Sequence, residues 1–166
     1  MSDLVVRRAR PAEFGAVGEL TVAAYAADGF LDHASGPSYA GQLRDAARRA
    51  GHADLFVAVD EADVPVGTVT LVGPGSVMAE LCGPGEVEIR MLAVAPGGRG
   101  RGVGEMLTRA ALDRGRELGA GRVVLTSMTS MTTAHRLYGR LGFRRVPELD
   151  RTVAEEVLLL AFTLDL

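Results

Sequence analysis

Apolar positions along the chain change spacing repeatedly, from every second residue to every third or fourth, and each change marks a passage from strand to helix or back. Residues 4–8 (Leu-Val-Val-Arg-Arg) predict a short first strand. Pro11 then opens a helix, with Glu13 in its first turn and Phe14, Val17 and Leu20 at helical spacing. A second helix is predicted over residues 39–50, where Leu43, Ala46, Ala47 and Ala50 share one face. The loop before it, residues 28–38, contains Gly29, Gly36 and Pro37. Residues 55–59 and 64–72 predict a hairpin of apolar strands around Asp60-Glu61-Ala62-Asp63. Gly73-Pro74-Gly75 and Gly83-Pro84-Gly85 bracket a loop that leads into a strand over residues 87–94.

After Pro96 a turn rich in glycine and arginine feeds a long helix reaching about Leu118, with Val103, Met106, Leu107, Ala110 and Ala111 as its apolar stripe. Gly119 and Gly121 end it. Residues 122–127 predict a strand, residues 132–141 a helix stopped by Gly142, and residues 154–164 a final strand. The order β-αα-βββ-α-β-α-ββ, with long crossovers alternating with hairpins, predicts an α/β fold with a mixed sheet.

Composition narrows the function classes. A chain of 166 residues with 48% hydrophobic and 23% charged positions suits one globular domain and is not that of a disordered chain. The formal charge of −3 disfavours a protein whose main task is gripping nucleic-acid backbone. Cys82 is the single cysteine, so no disulfide forms within the chain and no zinc-type cysteine cluster exists, which points to a reducing, cytoplasmic setting. The start, Met1-Ser2-Asp3-Leu4, lacks the layout of a secretory signal, and the longest strongly apolar run, residues 157–162, falls far short of the ~20 residues that cross a bilayer. All 18 basic residues are arginine, and lysine and asparagine are both absent; this is the codon bias of a GC-rich genome before it is anything functional. Residues 1–83 carry 6 arginines against 11 acids, and residues 84–166 carry 12 arginines against 10 acids. An anionic ligand therefore fits the C-terminal half better and a cationic one the N-terminal half, although scatter over a solvated surface gives the same count.

The most informative segment runs from Leu92 through Pro96, Gly97, Gly98, Arg99, Gly100, Arg101, Gly102, Val103 and Gly104. A strand feeds a glycine turn and the turn feeds a helix, whose first N–H groups lack helical acceptors and carry partial positive charge. Glycines at 100, 102 and 104 let a bulky anion come close to the backbone, and Arg99 and Arg101 add guanidinium donors. The arrangement is a phosphate or pyrophosphate cradle. It is not a nucleotide P-loop, which needs a lysine, and it fails the dinucleotide pattern Gly-x-Gly-x-x-Gly, because the third glycine position falls on Leu107 or Glu105. What remains is Arg-x-x-Gly-x-Gly, as Arg99, Gly102 and Gly104, after a strand ending Leu-Ala-Val-x-Pro.

That pattern resembles the coenzyme A pyrophosphate signature of the GNAT superfamily of acetyl-CoA-dependent N-acetyltransferases. Three further segments resemble the same family: residues 6–14 its opening strand and helix, residues 88–94 its central strand, and Leu137-Tyr138-Gly139-Arg140-Leu141-Gly142-Phe143 its Leu-Tyr-x-x-Leu-Gly-Phe motif. The resemblance spans nearly the whole chain. It implies a single N-acetyltransferase domain over residues 1–166, with a mixed sheet of about seven strands splayed between strands 4 and 5 and flanked by about four helices. It also implies that the pantetheine arm of the coenzyme lies in the splay, contacting Leu92, Ala93 and Val94. The N–H groups of Arg99, Gly100, Arg101, Gly102, Val103 and Gly104 would then hold the pyrophosphate.

Acyl transfer to an amine sets the remaining requirements. An amine with a pKa of ~10.4 must lose a proton before it attacks the thioester, and the departing thiolate gains from receiving one. By resemblance Tyr138 is the acid that faces the sulfur and also contacts the coenzyme; a core tyrosine with its hydroxyl bonded elsewhere is the alternative. Glu88 is the candidate base, direct or through water, against an ion pair with Arg90; Glu86 is the alternate. Unbroken alternation puts Glu88, Arg90, Leu92 and Val94 on one face, and a family bulge near Met91 changes the parity beyond it. Cys82, in a Gly/Pro loop without a neighbouring histidine, reads as an incidental thiol and not a nucleophile. The family often places an Asn where this chain has Met131, which leaves Ser130 or Thr132 as stand-ins. His33, His52 and His135 show no metal spacing, His135 reads as a surface residue, and the chemistry needs no metal.

The acceptor site, by resemblance, draws on Tyr25, Asp28, Phe30, Asp32 and Tyr39 and on the loop of residues 73–85, where aromatic and acidic side chains could receive a cationic amine. The same residues suit a solvated loop equally well. The function implied is acetyl transfer from acetyl-CoA to a primary amine through a ternary complex, with a small amine, an amino acid, an antibiotic and a protein N-terminus all open as acceptor. The alternative is a non-catalytic acyl-CoA sensor of the same fold. The implied partners are acetyl-CoA and the amine, with no nucleic acid and no membrane, and with room for a homodimer.

Overall fold

The computed structural model describes residues 3–153 and 156–166. Met1, Ser2, Ala154 and Glu155, the last two being where the final strand is predicted to begin, lie outside the described residues. β1 (Val5–Arg8) is followed by a single 3-10 turn at Pro11–Glu13 and then α1 (Phe14–Ala27). The one helix predicted over residues 39–50 is two: α2 (Gly36–Arg44), with Pro37 in its first turn, and α3 (Ala46–His52). Asp45 makes the break by leaving helical geometry and accepting the Arg48 N–H at 3.1 Å, as an N-cap does. β2 (Asp54–Val59) and β3 (Pro65–Val72) form the expected hairpin, and β4 (Glu86–Val94) follows the Gly/Pro loop. Then come α4 (Val103–Glu117), β5 (Arg122–Met128) and α5 (Thr132–Arg140). The chain closes with β6 (Arg144–Arg145), β7 (Arg151–Val153) and β8 (Val157–Asp165).

The eight strands form one open, mixed α/β sheet in the order β1-β2-β3-β4-β5-β8-β6, with β7 paired to β8. Every pairing is antiparallel except β4 with β5. That parallel pair has only three rungs, Glu86 to Arg122, Val87 to Val123 and Glu88 to Val124. Beyond them β4 stays with β3 and β5 stays with β8, so the sheet opens into a gap where the splay is expected.

A bulge lies at that opening. Thr68 pairs with Ala93 and Thr70 with Arg90, so Met91 and Leu92 share the space opposite Val69, and Met91 takes φ +54°. The extra residue flips the strand's parity. Val87 and Ile89, and beyond the bulge Leu92 and Val94, pack with the α4 and α5 side chains Val103, Leu107 and Leu137. Met91 and Ala93 turn to the opposite layer, against Ala24, Tyr25 and Leu43 of α1 and α2. Unbroken alternation would have put Leu92 and Val94 on the Glu88 face; the bulge reverses that.

Helices α4 and α5 therefore cover one face and α1, α2 and α3 the other, where Val17, Ala46, Leu55, Val57 and Val59 make a second cluster. Helix α1 buries Val17, Gly18, Thr21, Ala24 and Tyr25 along one face, and a side chain at Gly18 would put its Cβ 2.1 Å from the Arg44 carbonyl oxygen. Only glycine allows α1 and the end of α2 to lie that close. Beneath them Arg49 is 1% exposed, donating to the Gln42 and Leu43 carbonyls at 3.1 and 2.6 Å. These carbonyls belong to the last turn of α2, whose negative dipole end suits a guanidinium. Among the described residues no helix is long and apolar enough to cross a membrane.

Candidate active site

The gap between β4 and β5 is the floor of a cleft of ≈ 760 Å³, walled by the end of α1, the glycine turn and first turn of α4, and helix α5. Its size falls in the range of small-molecule and cofactor sites, about 300–1,000 Å³. At the turn, Gly100 and Gly102 take φ +79° and +76°, a backbone state that other residues adopt only under strain. Gly102 caps α4 with no side chain, and the first helical bond runs from the Met106 N–H to the Gly102 carbonyl at 3.0 Å. The N–H groups of Val103, Gly104 and Glu105 thus have no helical acceptor, and all three residues line the cleft. Helix α4 aims its positive end there.

The two arginines of the turn separate. Arg99 lines the cleft but reaches across it, with Nη1 2.7 Å from the Asp28 carboxylate and Nη2 donating to the Ala24 carbonyl at 3.4 Å. Arg99, expected at the coenzyme, and Asp28, expected at the acceptor, are therefore one ion pair that spans the cleft. Arg101 is exposed and lines neither this cleft nor the second cavity beside it. Three polar groups that the sequence did not single out line the same cleft: Arg136, Arg140 and Glu105, the last paired with Arg109 at 3.4 Å and Arg140 at 3.8 Å. Ser130 and Thr132 line it beside Met131, where the family often has Asn.

Tyr138 projects from α5 into the cleft, its ring packed on Phe143 and Phe162 at centroid distances of 5.4 and 5.8 Å. Burial pushes its phenol well above the ordinary tyrosine value, so it stays a protonated donor at neutral pH. Its hydroxyl makes no hydrogen bond among the described residues.

Tyr25, Ile89, Met91, Thr126, Ser127 and Met131 border both this cleft and a second cavity of ≈ 370 Å³ on its far side. Tyr25 meets Phe30 edge-on at 6.0 Å and Tyr39 at 6.1 Å, so three of the acceptor-site aromatics form one cluster at this junction. Asp32 lines neither cavity, and of the loop at residues 73–85 only Glu80 reaches the second one. Burial raises the Tyr25 and Tyr39 phenols. At the same junction, and absent from the sequence expectations, Ser127 Oγ lies 3.1 Å from His135 Nε2. His135 is half-buried where a surface position was expected, and desolvation lowers its pKa.

Glu88 lines neither cavity. It is 2% exposed, and its Oε1 accepts the backbone N–H groups of Glu80, Leu81 and Cys82 at 3.1, 2.7 and 3.0 Å. Instead of pairing with Arg90, it holds the loop that carries Glu80. Glu86 accepts the Gly83 N–H at 2.9 Å and pairs with Arg122 at 3.6 Å, at the closed end of β4 and away from the cleft. Cys82 donates to the Val72 carbonyl at 3.7 Å, and burial pushes its thiol up to about 11, poor conditions for a nucleophile. Among the described residues, no group of three or more His, Cys, Asp or Glu is placed to hold a metal ion.

A family model described as Acetyltransferase (GNAT) family matches residues 20–143. Among solved structures, the chain is similar to an acetyltransferase of the GNAT family from Staphylococcus aureus Mu50, at 12% identity with 98% of each chain covered and a TM-score of 0.74. It is similar to yncA from Salmonella typhimurium, solved with its cofactor acetyl-CoA, at 20% identity, 99% of this chain and 94% of that one, TM-score 0.66. The PaiA N-acetyltransferase from Thermoplasma acidophilum, in complex with coenzyme A, gives 13% identity, 97% and 98% coverage and a TM-score of 0.72. No curated protein matches the sequence.

Proposed function

The chain belongs to the acetyltransferase (GNAT) family, and from that premise we propose that residues 1–166 act as one domain that moves the acetyl group of acetyl-CoA to a primary amine within a ternary complex. The observation that carries the reading is the conjunction of an open β4–β5 gap with the unpaired first N–H groups of α4 at one end of the same cleft. An extended pantetheine arm can bond the free backbone edge of β4 at Leu92, Ala93 and Val94, as an added strand would. Its pyrophosphate then meets the amides of residues 99–104, where the helix dipole favours anions. Arg136 and Arg140 supply further positive charge on the α5 wall.

The amine enters from the second cavity, past Tyr25 and Phe30, and its nitrogen attacks the thioester carbonyl carbon. An N–C bond forms as the carbonyl π pair moves to oxygen, where a main-chain N–H at the β4 bulge can stabilise the charge. Collapse returns the oxygen pair to re-form the carbonyl while the C–S bond breaks, and the sulfur leaves with the C–S bonding pair. Tyr138, kept neutral by burial, donates its proton to the thiolate. The proton lost by the amine departs through water toward Glu88, which lines neither cavity and so takes it only through that relay, at the carboxylate oxygen not held by the loop amides. The occupied Oε1 is also what favours a second reading, in which the domain binds acyl-CoA as a sensor without turnover.

Calorimetry with acetyl-CoA and release of free coenzyme over a panel of amines test both. Binding with amine-dependent release supports the transferase, and binding without release for any amine supports the sensor. A folded protein that shows no heat with acetyl-CoA overturns both readings.

A further inference from the structure

The second cavity has a charge balance at odds with a cationic acceptor. Glu80 is the only carboxylate that lines it among the described residues, and two guanidiniums already share it, Arg90 at 3.1 Å and Arg151. Arg90 is 12% exposed, lines the cavity, and besides Glu80 engages only neutral partners, the Met78 carbonyl at 3.1 Å and the Tyr39 hydroxyl. Arg49 lines neither cavity; its partners are two carbonyls and the Thr21 hydroxyl, with the Asp45 carboxylate in electrostatic reach. Two guanidiniums thus share the one carboxylate of this cavity, and Arg90 is the one of them that lines it. A second cation brought into it would be repelled, whereas an anion would complete it. One more donor or acceptor there is unspent: His33 Nδ1 is buried at the same cavity with no hydrogen-bond partner.

Resting on the acyl-transfer reading above, we propose that the acceptor is a small amine that carries its own carboxylate, an amino acid with an apolar side chain, and that Arg90 binds the carboxylate. The geometry is short-range. Arg90 precedes Met91, the residue that borders both cavities and marks where the attacking nitrogen must come. Nitrogen and carboxylate must therefore lie close together in the ligand, as they do on one α-carbon. The opposite wall, with Met128, Val157 and Leu159, is apolar and accepts the remaining side chain. A protein N-terminus presents an amide where this site asks for a charge.

Coenzyme release from acetyl-CoA is measured with matched triplets built on leucine, valine and phenylalanine: the free L-amino acid, its amide and its decarboxylated amine. The expected result is kcat/KM for the free acids about 10- to 100-fold above the amides and amines, the worth of a charge-assisted hydrogen bond to Arg90. Arg90→Gln should narrow that ratio to a few-fold by raising KM for the acids, with Arg90→Lys restoring part of it. Should Arg90→Gln fail to fold, the wild-type triplets decide alone. Amides or amines used as well as the acids, or no acid used by a protein that binds acetyl-CoA, overturns the carboxylate assignment and leaves the coenzyme site standing. Absence of acetyl-CoA binding in calorimetry overturns the acyl-transfer reading itself, and this inference with it.

Discussion

Glu86 and Glu88 stand two residues apart on one strand, and each is engaged by backbone amides of the loop before it, yet only Glu88 is sealed from solvent. Substitution separates its two possible duties. Gln keeps an oxygen able to accept the N–H groups of residues 80–82 but cannot take a proton. Glu88→Gln should therefore keep the melting temperature close to wild type while kcat falls about 10²-fold. An unchanged kcat would reduce Glu88 to a loop-holding residue. Tyr138→Phe is the complementary case. It removes a hydroxyl with no protein partner, so the fold loses no hydrogen bond, and turnover should drop on the order of 10²-fold with the acetyl-CoA KM little changed. Steady-state kinetics on the two variants would show it. The place of Tyr138 on the cleft wall was legible because its Leu-Tyr-x-x-Leu-Gly-Phe context is local. The Asp28–Arg99 pair was not, since its members lie 71 positions apart and each has an ordinary reading alone.

Among elements, those defined by local chemistry came through the sequence best: α4 between its glycine cap and Gly119, the β2–β3 hairpin, and the strand on each side of the gap. The break between α2 and α3 was missed because the apolar spacing of Leu43, Ala46 and Ala50 runs through it undisturbed. The signal was Asp45, a good N-cap residue three positions before the N–H it accepts. β6 and β7 carry arginines and span two and three residues, so no apolar run announced them. They form because β8 offers an edge and because Arg145 ties Asp150 and the Ala161 carbonyl together, at 2.7 and 2.8 Å. Packing of α1 on α2 gives a test with a reversed sign. Helix propensity alone makes Gly18→Ala stabilising by about 1 kcal/mol. The 2.1 Å clash with the Arg44 carbonyl makes it destabilising instead, by about 1–3 kcal/mol in urea unfolding.

Taken as a whole, the molecule fastens its first strand and first helix with charge. Arg7 binds Glu13 at 2.8 Å and Asp63 at 3.0 Å, joining β1, the entry to α1 and the β2–β3 turn. The Arg7 hydrogen bonds hold the Glu13 carboxyl down at about 2, against an ordinary 4.5. Because the folded value lies below the unfolded one, the stabilisation is full above about pH 5 and fades as pH falls toward 2. The melting-temperature gap between wild type and Glu13→Gln should accordingly be widest near neutrality and narrow as the buffer is taken down to pH 3. Equal gaps at both pH values would show that the carboxyl contributes by packing alone. The β4–β5 gap was legible only through resemblance, because no run of residues encodes where two parallel strands stop pairing; the bulge near Met91, expected on the same ground, is its local trace, at φ +54°.

The three-rung join between β4 and β5 also bears on solubility. Past Glu88 and Val124 the sheet carries two unpaired backbone edges in its interior, the kind of surface on which foreign strands add and aggregates grow. Proteins often blunt such edges with lysine, and this chain has none. Here the edges are roofed by α5 and the first turn of α4 on one side and by Ala24 and Tyr25 of α1 on the other. Shielding by helices leaves a slot suited to one slim, unbranched chain and closed to a full polypeptide with side chains on both faces.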